Sequence, residues 1–268
     1  MKCCICGAVK NVGIFLDRIF ENMEKIGELF EDYVIILSYD NSDDDTLQKI
    51  KEYQEKNLRL KFYVNKSELS AYRTHRIAFA RNICLEMIRK NYSNFDFFIM
   101  MDCDDVCSGN INLDPIKKNL VKDEWDALSF NKPDYYDVWA LSIRPYVFSF
   151  LHFHPSAQDK MKDYIHNIIK NTPPDELIKC SSAFNGFAIY RTNKFLNCKY
   201  DGRIRLDLIP KSCLQKNVKV NNSPIVCKEL CGSGVNTRYE DCEHRAFHMQ
   251  AIKINGSRIR ISPEIVFS

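Results

Sequence analysis

The 268-residue chain is 45% apolar and 27% charged, with 38 basic side chains against 35 acidic ones and a formal net charge of +3. A chain of this size can bury one sizeable core and fits a single domain over 1–268, while balanced charge without a long block of one sign gives no reason to expect a nucleic-acid partner. Its most apolar runs, such as Tyr33 to Leu37 and Phe97 to Met101, have strand length, far below the ~20 residues of a spanning helix, so no transmembrane segment is expected.

Lys2 to Val9 reads as a short buried strand. It holds Cys3 and Cys6 at C-x-x-C spacing, and Cys103/Cys107 and Cys227/Cys231 are further close pairs among 12 cysteines. Zinc sites present tight pairs in turn-rich loops, whereas Cys3 and Cys6 lie in an apolar run, which favours packing over metal. The spread of the cysteines, and a start without the pattern of a secretory signal, point to reduced thiols and a cytoplasmic location. Apolar positions then recur at Phe15, Leu16, Ile19, Phe20, Met23, Ile26 and Phe30, the spacing of a helix with one buried face. Tyr33 to Ser38 is apolar on consecutive residues, as in a strand covered by helices on both faces.

The polar stretch Asp40 to Asp45 leads into a helix near Thr46 to Lys56, and Leu60 to Val64 predicts a third strand. Ile77 to Ile88 has helical spacing, and Phe95 to Met101 predicts a fourth strand that runs straight into acid. Further on, Trp125 to Phe130, Phe184 to Arg191 and Arg258 to Ile261 predict strands, while Ala157 to Lys170 and Asp241 to Ile252 predict helices. Strand–helix alternation over the first ~105 residues argues for an α/β class with a doubly wound parallel sheet. Ligands of such sheets bind beyond the carboxyl ends of the strands, so the polar segments after Val9, Ser38, Val64 and Met101 should converge on one crevice.

The segment Met101-Asp102-Cys103-Asp104-Asp105 carries the most chemistry. On extended backbone, side chains two apart point the same way, so Asp102 and Asp104 can aim at one point. Crowded carboxylates repel unless a cation lies among them, and hard oxygen ligands suit Mg²⁺ or Mn²⁺, which can also hold a diphosphate. The alternative is an acidic loop that merely ends a strand. Asp40 follows a buried strand and can accept hydrogen bonds from a nucleobase or ribose, while Asp44 or Asp45 can cap the next helix. Arg73, Arg76, Arg81 and Asn82 precede or lie on the helix before the acidic strand, and arginine forks suit phosphate oxygens. Their spacing keeps them off one common face, so at least one is structural. Trp139, flanked by Tyr135, Tyr136 and Asp137, can form a stacking wall for a sugar ring or fill a core.

Asp40-Asn41-Ser42-Asp43-Asp44-Asp45-Thr46, Arg76-Ile77-Ala78-Phe79-Ala80-Arg81-Asn82 and Phe97 to Asp105 resemble, in order and spacing, the nucleotide-binding half of GT-A glycosyltransferases. Tyr135-Tyr136-Asp137-Val138-Trp139-Ala140-Leu141 looks like a segment of capsule-associated α-mannosyltransferases of fungi and of related enzymes in large DNA viruses. Asn185-Gly186-Phe187-Ala188-Ile189-Tyr190-Arg191 is similar to a GT-A acceptor-side strand, and Tyr239-Glu240-Asp241-Cys242-Glu243-His244 resembles the acidic pair that opens a late helix. The resemblance covers about 240 residues; its weight lies in the combination and order of the motifs.

The resemblance implies a GT-A (Rossmann-like) fold, with a mostly parallel central sheet flanked by helices. Residues 1–130 would form the nucleotide-sugar-binding half and 131–268 the acceptor-side half. It implies a metal-dependent transfer of a sugar from a nucleotide-diphosphate sugar to a glycan or protein hydroxyl, in the host cytoplasm if the chain is viral. Asp102 and Asp104 match the metal motif, Mn²⁺ or Mg²⁺ being the cofactor; Asp40, Asn41, Arg76, Arg81 and Asp102 fall on the donor side, and Asp137, Trp139, Asn185 and Gly186 on the acceptor side. An inverting transfer needs a carboxylate to take the acceptor proton. Asp241 is the first candidate and Glu240 the second, though both can instead cap the helix they precede. His244 and His248 share a helical face, and either can complete the Asp102/Asp104 site or pack within the fold; the run His244 to His248 lacks H-E-x-x-H, so a zinc protease is not indicated. Two other functions stay open. Sugar-1-phosphate nucleotidyltransfer uses a similar sheet, but Gly7 to Gly13 is a poor match for its glycine-rich loop. A catalytically inactive GT-A domain that binds a glycan or partner is the other, against which the intact Asp102 and Asp104 argue.

Overall fold

In the computed structural model, which describes residues 1–67, 70–144, 146, 157–208, 211 and 239–268, strand and helix alternate through the first half as the periodicity predicts. The order is β1 (Lys2–Val9), α1 (Gly13–Gly27), β2 (Asp32–Tyr39), α2 (Thr46–Lys56), β3 (Leu60–Val64), α3 (Arg73–Asn91) and β4 (Phe97–Asp102). The second half adds α4 (Asp114–Leu120), β5 (Ala127–Asn131), α5 (Ala157–Asn171), β6 (Ile178–Cys180), β7 (Phe187–Arg191), α6 (Glu243–Asn255) and β8 (Ile259–Ile265). Cys227, Cys231, His152 and His154 lie outside the described residues. No helix among the described residues is long and apolar enough to cross a membrane.

The strands form one sheet in the order β3-β2-β1-β4-β7-β5-β8-β6. From β3 to β4 every pairing is parallel, whereas β7 enters antiparallel between β4 and β5. Beyond it β8 is parallel to β5, and β6 is antiparallel to β8. The fold is thus the mixed but mostly parallel α/β sheet flanked by helices that was expected. Sequence patterning gave the β7 strand without its direction.

Alternation along the strands builds two cores, one on each face. Ile35 and Leu37 pack with Leu16, Ile19, Phe20, Met23 and Ile26 of α1; Val34 and Ile36 pack with Cys84, Leu85 and Ile88 of α3 and Phe247 of α6. This is why β2 reads as an unbroken apolar run. The same alternation decides the C-x-x-C pair. Cys3 belongs to the first core and Cys6 to the second, because residues three apart on a strand point to opposite faces. They cannot share a metal, and the nine described cysteines are all free. Neither α4 nor β6 stands out in the sequence: α4 has seven residues with proline in its first turn, and β6 has three, too few to display a period.

Register sets the functional edge. Val9 pairs with Tyr39, and Ala8 with Asp102, so Lys10, Asp40 and the acidic segment leave the sheet at nearly one level. The first turn of α3 begins at Arg73, ahead of the apolar spacing that starts near Ile77, and brings its arginines to the same edge.

Candidate active site

A half-open crevice of about 890 Å³ lies at this edge, bounded by Lys10, Asp40, Arg73 and Arg76 toward β1 and β2. Asp102, Asp104, Asp137, Trp139, Glu243 and His244 bound it toward β4, β5 and α6. Asp40 accepts hydrogen bonds from Lys10 Nζ (3.1 Å), Asn65 Nδ2 (3.2 Å) and the Asn41 N–H (2.9 Å). Burial works to raise its carboxyl, but the bonds from Asn65, Lys10 and Asn41 prevail and hold it below the usual range. Asn41 contributes its backbone alone; its side chain is exposed and does not line the crevice. Asp44 holds the N–H groups of Gly13 (2.9 Å) and Thr46 (3.1 Å), fixing the starts of α1 and α2.

The three arginines play different parts. Arg73 is exposed on the crevice rim and makes no ion pair or side-chain hydrogen bond among the described residues. Arg76 donates to the carbonyls of Ser70 (3.0 Å) and Ala71 (2.8 Å), closing the loop before α3. Arg81 is buried, lies over the Phe184 ring at 4.5 Å, and donates to Asp102 Oδ1 (2.9 Å) and to Glu243 Oε1. Its guanidinium is thereby committed to two carboxylates of the protein itself.

Asp102 accepts from Arg81 on one oxygen and from the Tyr136 hydroxyl (3.2 Å) on the other. Burial pushes its carboxyl up to about 7 against the pull of Arg81, with Asp104, Asp137 and Glu243 pushing the same way. Asp104 is also raised, chiefly by burial, and accepts the Val106 N–H at 3.1 Å. Raised carboxyls side by side mark negative charge that a cation would relieve, and their hard oxygens suit Mg²⁺ or Mn²⁺. Mg²⁺ in particular is bound by one or two carboxylates together with substrate phosphates and water, so this pair fits such an ion. Among the described residues no three or more His, Cys, Asp or Glu side chains gather as a metal-holding group, so neither histidine joins the two aspartates. His248 is fully buried and hydrogen-bonds Ser182 Oγ (3.0 Å) and the Tyr190 hydroxyl (3.2 Å); burial, with Arg245 and Arg81 nearby, pushes it down to about 3. His244 does line the crevice, stacked on Phe184 with centroids 3.7 Å apart, and burial keeps it neutral.

Asn185 acts on the site through its side chain and Gly186 through its carbonyl. Both have positive φ, 57° and 86°. The Asn185 side chain accepts the Asp137 N–H (3.2 Å) and donates to the Phe130 carbonyl (3.0 Å); the Gly186 carbonyl accepts the Asp102 N–H (2.8 Å). A Cβ on Gly186 would sit 2.3 Å from Val106 Cγ1, so the chain passes close to Val106 where it supports Asp102. The aromatic run divides: Tyr135 is core, while Tyr136 and Trp139 line the crevice. Asp137 lines it too, accepting the Ala140 N–H (3.0 Å), and burial raises its carboxyl.

Glu240 and Asp241 are both buried away from the crevice lining. Glu240 accepts from the Thr74 N–H (2.9 Å) at the start of α3. Asp241 accepts from Arg245 Nε (3.0 Å), and Arg245 in turn holds the carbonyls of Trp139 and Leu141. The acid of this motif that reaches the crevice is Glu243. Sequence reasoning passed over it, and it named Arg73 as a phosphate-suited arginine without placing it on the donor side. The available signal for Glu243 is its place in the first turn of α6, after the Cys242 N-cap, where the helix has begun and the side chains turn inward.

Residues 4–191 match the family described as Glycosyl transferase family 2, well over half of the chain. The chain is also similar to S. aureus TarS, at 16% identity and a TM-score of 0.49, over 100% of this chain and 36% of that one. It is similar to S. aureus TarS 1–349 in complex with UDP-GlcNAc, at 16% identity and a TM-score of 0.46, over 100% of this chain and 57% of that one. A third similar structure is the mannosyltransferase PcManGT from Pyrobaculum calidifontis in complex with GDP-Man and Mn²⁺, at 11% identity and a TM-score of 0.43, over 74% of this chain and 47% of that one. The chain spans less than two thirds of each of these solved chains. No curated protein matches it.

Proposed function

The chain belongs to glycosyl transferase family 2, and from that premise we propose that it is a metal-dependent enzyme moving a sugar from a nucleotide-diphosphate sugar to the hydroxyl of a glycan or protein. Family membership favours sugar transfer over the nucleotidyl transfer that the sheet alone would also allow. The observation that carries the finer reading is the meeting, in one crevice, of a basic rim with a pair of partly buried acids at the end of β4. Asp40 receives the base or ribose, its charge kept available by Lys10 and Asn65. Arg73, with no protein partner among the described residues, supplies a guanidinium fork to the diphosphate. Asp102 and Asp104 hold Mn²⁺ or Mg²⁺, which when bound neutralises charge on the departing diphosphate. Arg81 and Tyr136 fix the Asp102 carboxylate before any ligand arrives.

The acceptor enters past Tyr136 and Trp139. For an inverting transfer, the carboxylate that takes its proton comes from Asp137 or Glu243, the acids facing the crevice, in place of Asp241 and Glu240. Asp137 is the better base, since burial raises its carboxyl while Glu243 is ion-paired with Arg81. The segment Tyr135 to Leu141 makes GDP-mannose the first donor to try. Thermal unfolding with UDP or GDP, with and without Mn²⁺, tests the assignment. Stabilisation by nucleotide that depends on the metal is expected; stabilisation by nucleotide unaffected by Mn²⁺ would remove the metal role, and no response to any nucleotide would favour a domain that only binds glycans.

A further inference from the structure

Glu240 lies outside the crevice lining, yet it is bonded to the helix that forms one wall of the crevice. The first turn of α3 has Tyr72 at its N-cap, and no side chain of that residue caps the helix. A helix start leaves backbone N–H groups without intrahelical partners, and an N-cap oxygen ordinarily takes the N–H two or three residues on. Here the oxygen comes from far along the chain. Glu240 Oε1, 166 positions away, accepts the Thr74 N–H at 2.9 Å and lies 3.1 Å from the Thr74 hydroxyl. Thr74 is the second residue of α3, where a local cap would act, and a carboxylate also suits the positive end of the helix dipole.

The rest of the lead-in to α6 is fastened to the same turn. The Tyr239 carbonyl accepts from His75 Nε2 (3.1 Å), and the Tyr239 ring packs on Tyr72 with centroids 5.4 Å apart. The Gly202 carbonyl accepts the Asp241 N–H (2.8 Å) and lies 2.9 Å from the Thr74 hydroxyl. A Cβ on Gly202 would come within 2.4 Å of the Thr74 carbonyl carbon, so the approach to α3 leaves no room for a side chain. Glu240 and Thr74 are 1% and 0% exposed, which keeps water from competing for their bond. Between the N-cap and the capped residue stands Arg73, exposed on the crevice rim with no ion pair or side-chain hydrogen bond among the described residues. Its backbone is fixed by the lead-in to α6, while its guanidinium is left to turn toward a ligand.

We propose that Glu240 is a positioning residue for the donor: by capping α3 it holds the turn that presents Arg73 to the diphosphate. The role rests on the assignment of Arg73 to that diphosphate, and it gives the buried acid a task other than taking the acceptor's proton. A double-mutant cycle tests it, because coupling between two residues appears as non-additivity. Titration calorimetry uses the whole chain with Mn²⁺ and whichever of UDP and GDP it binds more tightly. Glu240→Ala should weaken binding about fivefold, the worth of one helix cap, but no more than about twofold in the Arg73→Ala background. Glu240→Gln loses the charge but keeps an acceptor oxygen, so its affinity should stay within about twofold of the unmodified chain. Glu240→Asp withdraws the carboxylate by one methylene and should bind about threefold more weakly, which keeps the test open if the alanine variant does not fold. Amide hydrogen exchange over Tyr72 to Ile77 should quicken in the alanine and aspartate variants while exchange in β1 and β4 stays the same. Folded variants of either kind with undiminished nucleotide affinity would overturn the role, as would a loss that adds in full to that of Arg73→Ala. Weakening by Glu240→Gln as large as that by Glu240→Ala would overturn it too, since charge and not the cap would then be at work. Binding that needs Arg73 but ignores Glu240 sinks this role alone and spares the transferase reading; normal binding by Arg73→Ala removes Arg73 from the donor site, and the role of Glu240 falls with it.

Discussion

The two ends of the crevice are built in opposite ways. Toward β1 and β2 the charged side chains are exposed or tied by bonds to loops: Lys10 reaches Asp40 at 3.1 Å, Arg76 closes its own loop, and Arg73 is free of ion pairs among the described residues. Toward β4 and α6 the charges are buried and bonded to one another, with Arg81 and Glu243 side chains 7% and 6% exposed. The contrast separates recognition from positioning. A guanidinium in solvent can turn toward an incoming phosphate, whereas one locked between Asp102 and Glu243 fixes the geometry of the acids it touches. The two ends also differ in proton affinity: burial raises Asp102, Asp104 and Asp137, whereas at Asp40 the hydrogen bonds from Asn65, Lys10 and Asn41 outweigh burial and lower it.

Four substitutions probe that contrast, beginning with the largest effect. Asp104→Ala removes a carboxylate from the acid pair and, among the described residues, breaks the Val106 N–H bond. Turnover should fall about a thousandfold, which corresponds to roughly 4 kcal/mol of lost transition-state stabilisation, with the fold retained; near-normal rates from the purified variant would remove Asp104 from the site. Arg81→Met leaves Asp102 and Glu243 buried without their shared cation, so stability should drop by about 3–5 kcal/mol, read from denaturant unfolding. A loss within about 0.5 kcal/mol, as expected of surface positions, would show that Arg81 belongs functionally with the exposed end.

Arg73→Ala is the converse. It should leave unfolding nearly unchanged and weaken nucleotide-diphosphate binding by about tenfold, the worth of one charge-assisted hydrogen bond; titration calorimetry with GDP and Mn²⁺ measures it. The smallest effect is a pH dependence. Burial raises the Asp137 carboxyl in the folded chain, so the folded state binds its proton more tightly than the unfolded state does. Stability from this group is complete below its unfolded pKa and is lost as pH rises through the raised one. Asp137→Asn cannot titrate, so its melting temperature relative to the unmodified chain should rise from pH 4 upward and level off once Asp137 is ionised. A gap that stays flat over that range would place Asp137 in water, and one that narrows would mean its carboxyl is lowered instead of raised.

The crevice itself was legible because its first half is local. Consecutive apolar residues in β2 and β4 announce strands buried on both faces, and the acids that follow each strand must leave the sheet at its carboxyl edge. That reasoning places Asp40, Asp102 and Asp104 on the crevice lining, where they are found. The late acidic motif was harder. Glu240 and Asp241 lie in the lead-in to α6 and Glu243 in its first turn; with ~100° of rotation per helical residue, a shift of two positions in the helix start decides which acid faces the ligand. Arg76 and Arg81 were read alike from their spacing, yet one closes a loop and the other is an internal counter-ion.

By itself the sequence determined the alternation of elements, the double-sided core and the strand ends from which the acids emerge, because each depends on patterns repeated within a few residues. Only the tertiary structure decided that β7 runs antiparallel between β4 and β5, that the Asn185 side chain supports Asp137 and the Gly186 carbonyl supports Asp102, and that Arg81 joins Asp102 to a glutamate 162 positions away. Those outcomes are set by which distant side chains meet once both sheet faces are covered. Local periodicity carries no information about such meetings.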